Sequence, residues 1–206
     1  MYIDFLTKTF HQNFKKNAII WHGKVCTFQW LIDQIKFWEM SIEELDLGSG
    51  SVVGLEADFS PNAIALFLAL TEKACIIVPL HHSTPNKELV LEIAQVEFIF
   101  QINKNDEVSS ERIEKVADHE YYQLLRQRSH PGLVLFSSGT SGEPKGAVHD
   151  FINLLSKFKK KRSPLIILNF LLFDHWGGLN TMLHTLSSSG TVLTINDRSP
   201  NGICKL

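Results

Sequence analysis

The stretch LVLFSSGTSGEPKG, residues 133–146, places a short apolar run directly before a loop rich in glycine and hydroxyl side chains. Residues 133–136 are typical of a buried β-strand. In the loop, glycine lets the backbone approach an anion closely, successive N–H groups can surround the anion, and Lys145 adds a positive charge. Together the strand and the loop predict a phosphate-binding site within an α/β fold.

The spacing within this loop differs from that of the Walker P-loop, GxxxxGK[ST]. The fifth residue after Gly139 is Pro144 rather than glycine, and Gly146 follows Lys145 where the Walker pattern has serine or threonine. Proline has no N–H to donate to a phosphate, and glycine has no hydroxyl for Mg²⁺. The loop is therefore not of the Walker class, and its composition alone leaves open a surface turn that binds nothing.

The residues before the loop alternate between strand and helix patterns. We expect a β-hairpin over residues 18–28 with Gly23 in its turn, and a helix that begins at Ser60-Pro61. The other predicted elements are a helix at 29–45, strands at 52–55, 75–80 and 97–102, and helices at 63–73 and 85–95. This alternation favours an α/β fold with mostly parallel sheets flanked by helices.

The same alternation resumes after the loop, with a helix at 151–160, a strand at 165–173, a helix at 179–186 and a strand at 191–195. Residues 103–128 have no strong period and predict a loop-rich or helical connection. We therefore expect a first α/β subdomain at 1–130 and a second at 131–206. Ser199-Pro200 is typical of a helix start close to Leu206, so we expect the second subdomain to be truncated and the polypeptide to continue.

The composition limits the classes of protein that this chain can belong to. Its residues are 44% hydrophobic and 20% charged, as in ordinary globular proteins, and the formal net charge of −2 gives no overall attraction to nucleic acid. Three widely spaced cysteines argue for a reducing compartment. The longest apolar run, residues 63–70, is far shorter than the ~20 residues of a membrane span. These features predict a cytoplasmic protein without a membrane span or an export signal.

Two motifs carry a resemblance to a known family. The string SSGTSGEPKG, residues 137–146, resembles the signature phosphate loop of the superfamily of AMP-forming acyl-CoA synthetases, luciferases and peptide-synthetase adenylation domains. The string NFLLFDHWGGL, residues 169–179, resembles the motif that follows the next strand in that family, and residues 21–80 resemble its N-terminal pattern. Many members carry histidine where Phe151 stands, a departure from which we draw no inference about substrate. The resemblance implies the incomplete N-terminal large domain of an adenylate-forming enzyme.

The resemblance also implies functions for individual residues. Eight residues would bind the phosphates of ATP, with the hydroxyls and the lysine on the β- and γ-phosphates and the glycines permitting a mobile clamp: Ser137, Ser138, Gly139, Thr140, Ser141, Gly142, Lys145 and Gly146. The acyl-substrate pocket would contain His175, Trp176 and Gly177. A fatty or aryl acid fits the apolar surroundings of Trp176 better than a polar amino acid does.

The reaction implied by the family is attack of a carboxylate on the α-phosphate of Mg·ATP, which gives an acyl-adenylate and pyrophosphate. The acyl group is then transferred to the thiol of coenzyme A or of a phosphopantetheinyl carrier protein. The later family motifs for adenine, Mg²⁺, ribose, the hinge and the catalytic lysine have no counterpart before Leu206. We therefore expect the N-terminal portion of a carboxylate-activating ligase, inactive by itself, in which no residue is identified as catalytic.

Three alternatives remain at this stage. The chain could be a standalone truncated nucleotide-binding or interaction module without catalysis. A cationic run could bind nucleic acid, but a solvated helix end explains it better, because no RNA-binding motif accompanies it; the run comprises Lys157, Lys159, Lys160, Lys161 and Arg162. His81 and His82 lack a third ligand at a sensible spacing, so no metal site is predicted.

Overall fold

The computed structural model describes residues 1–138, 143–195 and 197–204. Its helices are α1 (Asp4–Gln12), α2 (Phe28–Glu44), α3 (Pro61–Glu72), α4 (Lys87–Ile93), α5 (Glu120–Arg128), α6 (Phe151–Leu155), α7 (Trp176–Ser187) and α8 (Pro200–Ile203). Its strands are β1 (Asn17–Trp21), β2 (Lys24–Thr27), β3 (Val52–Glu56), β4 (Ile76–Leu80), β5 (Phe98–Ile102), β6 (Val108–Arg112), β7 (Gly132–Ser138), β8 (Pro144–Asp150), β9 (Ile166–Asn169) and β10 (Thr191–Thr194). A 3₁₀ helix, Ser156–Lys159, follows α6 directly.

These strands form two mainly parallel sheets. The larger sheet has the order β6-β5-β3-β4-β7-β8, in which β5, β3, β4 and β7 are parallel and the two edge strands are antiparallel. The smaller sheet has the order β2-β1-β10-β9, with β2 as its antiparallel edge. The α/β fold with mostly parallel sheets and flanking helices is as the sequence predicts.

Two apolar clusters cover the faces of the larger sheet. One joins this sheet to the smaller one and buries side chains of α1, α2, α3 and α7 between them. The other packs α4 and α5 against the opposite face through Val90, Tyr122 and Leu125. The central strands β3 and β4 are buried along their whole length, as expected for parallel strands covered on both faces.

Helix α3 shows how local sequence and packing agree. Ser60 caps the helix by accepting a hydrogen bond from Ala63 N at 3.4 Å, and Pro61 occupies the first turn. Nearly all of its residues are buried, which fits a helix that is apolar on every side and lies between two layers. The carboxylate of Asp106 accepts from Asn62 N at 3.0 Å and thereby fixes the turn after β5 to the start of this helix.

The two sheets do not divide at residue 130, although we expected subdomains at 1–130 and 131–206. Strand β7 pairs with β4 in the larger sheet, and β10 pairs with β1 in the smaller sheet, so each sheet contains segments from both ranges. Strands thus pair across long sequence separations, and the subdomain division at residue 130 stays a prediction.

Three further elements differ from expectation. Strand β6 lies in the segment that was predicted to be loop or helix. The sequence did not indicate a strand there, because the exposed polar residues of β6 show no apolar alternation. Strand β8 was not predicted, since the glycine and lysine at its start are typical of a loop. The strand expected at 165–173 ends at Asn169, and the helix expected at 151–160 is shared between α6 and the 3₁₀ helix.

Candidate functional site

The predicted phosphate loop connects two antiparallel strands, β7 and β8. Ser137 pairs with Lys145, and Phe136 pairs with Gly146, so both ends of the loop are held in one hairpin. Ser137 and Lys145 are exposed beside each other, where a hydroxyl and an ammonium group can face an anion. The predicted contacts of Gly139, Thr140, Ser141 and Gly142 lie outside the described residues, as does the side chain of Ser138.

Gly146 also makes room for a neighbouring aromatic ring, a role that the loop motif does not suggest. Its φ angle is not positive, so the backbone there does not need the conformational freedom of glycine. A Cβ atom at this position would lie 3.0 Å from Cζ of Phe136 and 3.3 Å from its Cε1. The absence of a side chain at Gly146 therefore makes room for the Phe136 ring on the neighbouring strand.

A cavity of about 300 Å³ lies beside the described ends of the loop. Three segments enclose it: the residues after β4, the strand ends of the β7–β8 hairpin, and the residues between β9 and α7. Its walls are formed by Ser83, Thr84, Pro85, Asn86, Val90, Phe136, Ser137, Pro144, Leu172, Asp174 and His175. In open α/β sheets, ligands bind outside the carboxyl ends of the strands, which is where this cavity lies relative to β4 and β7.

Thr84 and Asp174 connect two of these segments. The Thr84 hydroxyl accepts a hydrogen bond from His81 N at 3.0 Å and donates one to Asp174 Oδ2, also at 3.0 Å. Asp174 Oδ1 is buried and has no hydrogen-bond partner among the residues that the structure describes. Of the two carboxylate oxygens of Asp174 in the cavity wall, Oδ2 accepts a hydrogen bond from a described residue and Oδ1 does not.

The three residues predicted for the acyl-substrate pocket do not lie together around this cavity. His175 is exposed and forms part of the cavity wall. The Trp176 ring packs near Phe158, with the Lys157 ammonium 4.5 Å from its centroid, and it is not among the residues that line the cavity. Gly177 is also absent from the lining, and a Cβ there would lie 2.6 Å from Cδ1 of Leu171.

A second group of charged residues follows the carboxyl ends of β3 and β4, and the sequence did not identify it. Asp58 Oδ1 accepts hydrogen bonds from Arg198 Nη2 at 2.6 Å and from Phe59 N at 2.7 Å, while His81 Nε2 lies 3.8 Å from Asp58 Oδ2. Burial raises the pKa of Asp58, but the hydrogen bonds from His81, Arg198 and Phe59 outweigh burial and hold the pKa well below its usual range. Arg198 follows β10, so this ion pair links the two sheets.

Glu56 at the end of β3 is buried and fully paired. Its carboxylate accepts from Lys87 Nζ at 2.9 and 3.0 Å and from Gln101 Nε2 at 2.8 Å, and His82 Nδ1 lies 3.5 Å away. Burial raises the pKa of Glu56, while the hydrogen bonds from Gln101 and Lys87 lower it more strongly, so its pKa falls below the usual value. His81 and His82 therefore each face a carboxylate, a contact that their sequence pattern alone does not specify.

Two features are absent from the part of the chain that the structure describes. In residues 1–138, 143–195 and 197–204, no group of three or more histidine, cysteine, aspartate or glutamate side chains is placed to hold a metal ion. Within the same residues, none of the helices combines the length and apolarity that crossing a membrane requires.

Comparison with known proteins gives a consistent family. The pattern of the family described as "AMP-binding enzyme" matches residues 6–204. The D-alanine--D-alanyl carrier protein ligase of Streptococcus equi is 31% identical over 127 residues, which cover 56% of this chain and 25% of that ligase. The 2-succinylbenzoate--CoA ligase of Listeria monocytogenes is 24% identical over 152 residues, covering 68% of this chain and 32% of that ligase.

Solved structures share the fold. The N-terminal subdomain of Klebsiella oxytoca NpsA, solved in complex with 3-hydroxyanthranilyl-AMSN, superposes with a TM-score of 0.75 at 15% identity and covers 98% of this chain. The match covers 55% of that NpsA chain. CmiS6 superposes with a TM-score of 0.71 at 16% identity, covering 95% of this chain and 52% of that one. The chain thus spans only part of each protein that it resembles.

Proposed function

The chain belongs to the AMP-binding enzyme family, and from this premise we propose that it is the N-terminal portion of an ATP-dependent carboxylate-activating ligase. The observation that carries the proposal is the position of the cavity. Ser137 and Pro144, from the two strands that hold the phosphate-loop motif, form part of its wall together with His175. A carboxylic acid in this cavity would lie beside the phosphates of a nucleotide held by the loop.

In the proposed reaction, a carboxylate oxygen of the acid forms a bond to the α-phosphorus of ATP. The bond between this phosphorus and the bridging oxygen breaks, and pyrophosphate leaves with the electron pair. In a second step a thiol sulfur, on coenzyme A or on a phosphopantetheinyl carrier protein, attacks the acyl carbon, loses its proton, and displaces AMP. Neither step involves oxidation or reduction.

The contribution of this chain to the first step is electrostatic. Lys145 and the Ser137 hydroxyl would hold the β- and γ-phosphates and disperse the charge that develops on the departing pyrophosphate. Ser138, Thr140, Ser141 and the loop glycines complete this site in the proposal by their match to the family motif. Mg²⁺ would accompany ATP as part of the substrate, and its ligands are not assigned to residues of this chain.

For the acid substrate we propose only a chemical class. The cavity walls are largely apolar, with Val90, Phe136 and Leu172 among them, which suits an aryl or fatty acid. Its volume of about 300 Å³ is at the small end of the range for ligand pockets and suits a compact acid. Trp176 is not required for this proposal, since its ring packs elsewhere.

A ligase fragment is favoured over a standalone binding module. The curated relatives with detectable similarity include two acid–thiol ligases, one with a carrier protein and one with coenzyme A in its name. Since this chain spans 25% and 32% of them, we expect no carboxylate-dependent pyrophosphate exchange from residues 1–206 at the rate of a complete ligase. Exchange at such a rate would show that the missing motifs are not needed.

Titration calorimetry of Mg·ATP into the 206-residue chain tests the proposal. A hydrogen bond from a charged group contributes about 1.5–3 kcal/mol, so Lys145→Ala is expected to weaken binding about 10- to 100-fold. Lys115→Ala removes the same charge from an exposed loop position and should leave the affinity unchanged within about twofold. Equal affinities for wild type and Lys145→Ala would contradict the assignment of the loop.

A further inference from the structure

We propose that Phe136, packed on Gly146, is a positioning residue that fixes the base of the phosphate loop and at the same time forms a wall of the neighbouring cavity. The inference rests on the proposed function, because it concerns how the nucleotide site and the acid site are held together. Neither residue is a catalytic residue in this proposal. The ring acts through the strands that it holds.

The register of the hairpin gives the first argument. Phe136 and Gly146 are directly opposite each other, and the next pair toward the loop is Ser137 with Lys145. Any change in the separation or twist of the Phe136–Gly146 pair therefore moves the two described phosphate-binding candidates. The geometry of one pair thus controls where the hydroxyl of Ser137 and the ammonium of Lys145 lie.

The packing of the ring gives the second argument. A Cβ on Gly146 would be 3.0, 3.3 and 3.4 Å from three ring atoms of Phe136, so the ring lies across the glycine rather than at its edge. The ring also packs, partly buried, against the apolar cluster beneath α4 and α5. It is held from two sides, by the glycine backbone and by this cluster.

The cavity gives the third argument. Phe136 forms part of its wall, with Val90 and Leu172 also lining it, and Ser137 is the next lining residue along the strand. An acid that fills the cavity would contact the same ring that positions the loop. Occupancy of the cavity and affinity of the loop for phosphate are therefore coupled through one side chain.

A double-mutant cycle on pyrophosphate affinity tests this inference, with the 206-residue chain, Mg·pyrophosphate as the probe and titration calorimetry as the readout. Because displacements of ångström size can cost about a hundredfold, the shift of a few tenths of an ångström forced by Gly146→Ala should weaken binding about tenfold. Phe136→Leu should weaken it similarly, since the shorter side chain no longer spans the glycine. In the Phe136→Leu background, Gly146→Ala should add at most about twofold, because the ring that the methyl group displaces is gone.

Two further variants separate positioning from stability. Phe136→Tyr keeps the ring and should bind pyrophosphate within about twofold of wild type. Val148→Ala removes packing from the same apolar cluster at the pair two residues further from the loop, so it should lower Tm with little change in affinity. A Tm loss for Phe136→Leu equal to that of Val148→Ala, with unchanged affinity in both, would reduce Phe136 to a structural role.

The remaining outcomes are distinguishable. Additive effects of Phe136→Leu and Gly146→Ala, with wild-type binding intact, would overturn the inference and leave the proposed function standing. Absence of binding of both Mg·ATP and Mg·pyrophosphate by the wild-type chain would instead overturn the proposed function, and the positioning role with it.

Discussion

Replacement of Asp58 by asparagine tests the ion pair that links the two sheets. Asp58 Oδ1 accepts from both Arg198 Nη2 and Phe59 N, at 2.6 and 2.7 Å. Asparagine keeps an acceptor oxygen at this position, so the change removes the charge while retaining the hydrogen-bond geometry. The experiment therefore measures how much the negative charge of Asp58 contributes to the free energy of unfolding.

The expected magnitude follows from these two contacts. A hydrogen bond to a charged group is roughly twice as strong as a neutral one, and a neutral one contributes about 1 kcal/mol. Two bonds lose about 1 kcal/mol each, and the 23% exposure of the Asp58 side chain reduces this, so we expect a loss of about 1–2 kcal/mol in the free energy of unfolding at pH 7. For a chain of this size, that corresponds to a fall in Tm of about 2–8 °C.

The pH dependence has a defined sign. The pKa of Asp58 in the folded state lies below its usual value of 3.8, so its stabilisation is present above that value and is lost as the pH falls toward the folded pKa. The difference in stability between wild type and Asp58→Asn should therefore shrink progressively below about pH 4. Urea denaturation at pH 7, 5 and 3 measures this difference.

The control for this experiment is Asp33→Asn, since Asp33 is exposed and is hydrogen-bonded to the neutral side chain of Gln29. It should change the free energy of unfolding by less than about 0.5 kcal/mol at each pH. A stability of Asp58→Asn equal to that of wild type at pH 7, or a difference that grows as the pH falls, would refute the reasoning.

Three further predictions concern stability and reactivity. Gly178→Ala should lower the free energy of unfolding in urea by about 3 kcal/mol, because its Cβ would lie 2.6 Å from a backbone oxygen. In the control Gly48→Ala, the new Cβ has no atom within 4 Å, so the loss should be less than about 0.5 kcal/mol. Equal losses for the two variants would show that the structure relaxes freely around the close contact at Gly178. Glu56→Gln should lower the free energy of unfolding by about 1–2 kcal/mol, because it removes a buried carboxylate charge that pairs with Lys87, and the 31% exposure of the Lys87 side chain limits the loss. An unchanged stability would mean that the charge of Glu56 does not stabilise the fold. Burial raises the pKa of the Cys75 thiol to about 12. At pH 8 a thiol reagent should therefore modify the exposed Cys204 in the native protein, and Cys75 only after unfolding. Rapid modification of Cys75 in the native protein would contradict its burial.

Sequence patterns predicted the fold class and the family, and both are confirmed. The pattern of apolar residues predicted the elements that are buried by packing. The apolar helix α3, which begins after Ser60, and the buried strands β3 and β4 on either side of it are where we expected them. The pattern was uninformative where a strand is exposed, so β6 and β8 were missed. The pairing of β1 with β10 could not be predicted either, because nothing in either segment specifies a partner 173 residues away, as Val192 is from Ile19.

The candidate site shows the same limit. The loop motif identified Ser137, Lys145 and Gly146 by residue type, and the predicted roles of the eight loop residues remain predictions. Thr84 and Asp174 escaped notice because each is an ordinary polar residue whose significance arises from a contact 90 residues apart in sequence. Glu56 ends a buried strand and Asp58 follows that strand, a position that could have indicated both, but their basic partners come from distant segments.

We propose that this chain binds the pyrophosphate side of ATP at residues 137–146. Comparison of Mg·ATP, Mg·pyrophosphate and AMP in titration calorimetry with the 206-residue chain tests it most directly. If the loop holds the β- and γ-phosphates, ATP and pyrophosphate should bind with affinities within about tenfold of each other, and AMP, which lacks both phosphates, should bind at least about tenfold more weakly than ATP. Equal binding of AMP and ATP, or ATP binding without pyrophosphate binding, would contradict the account.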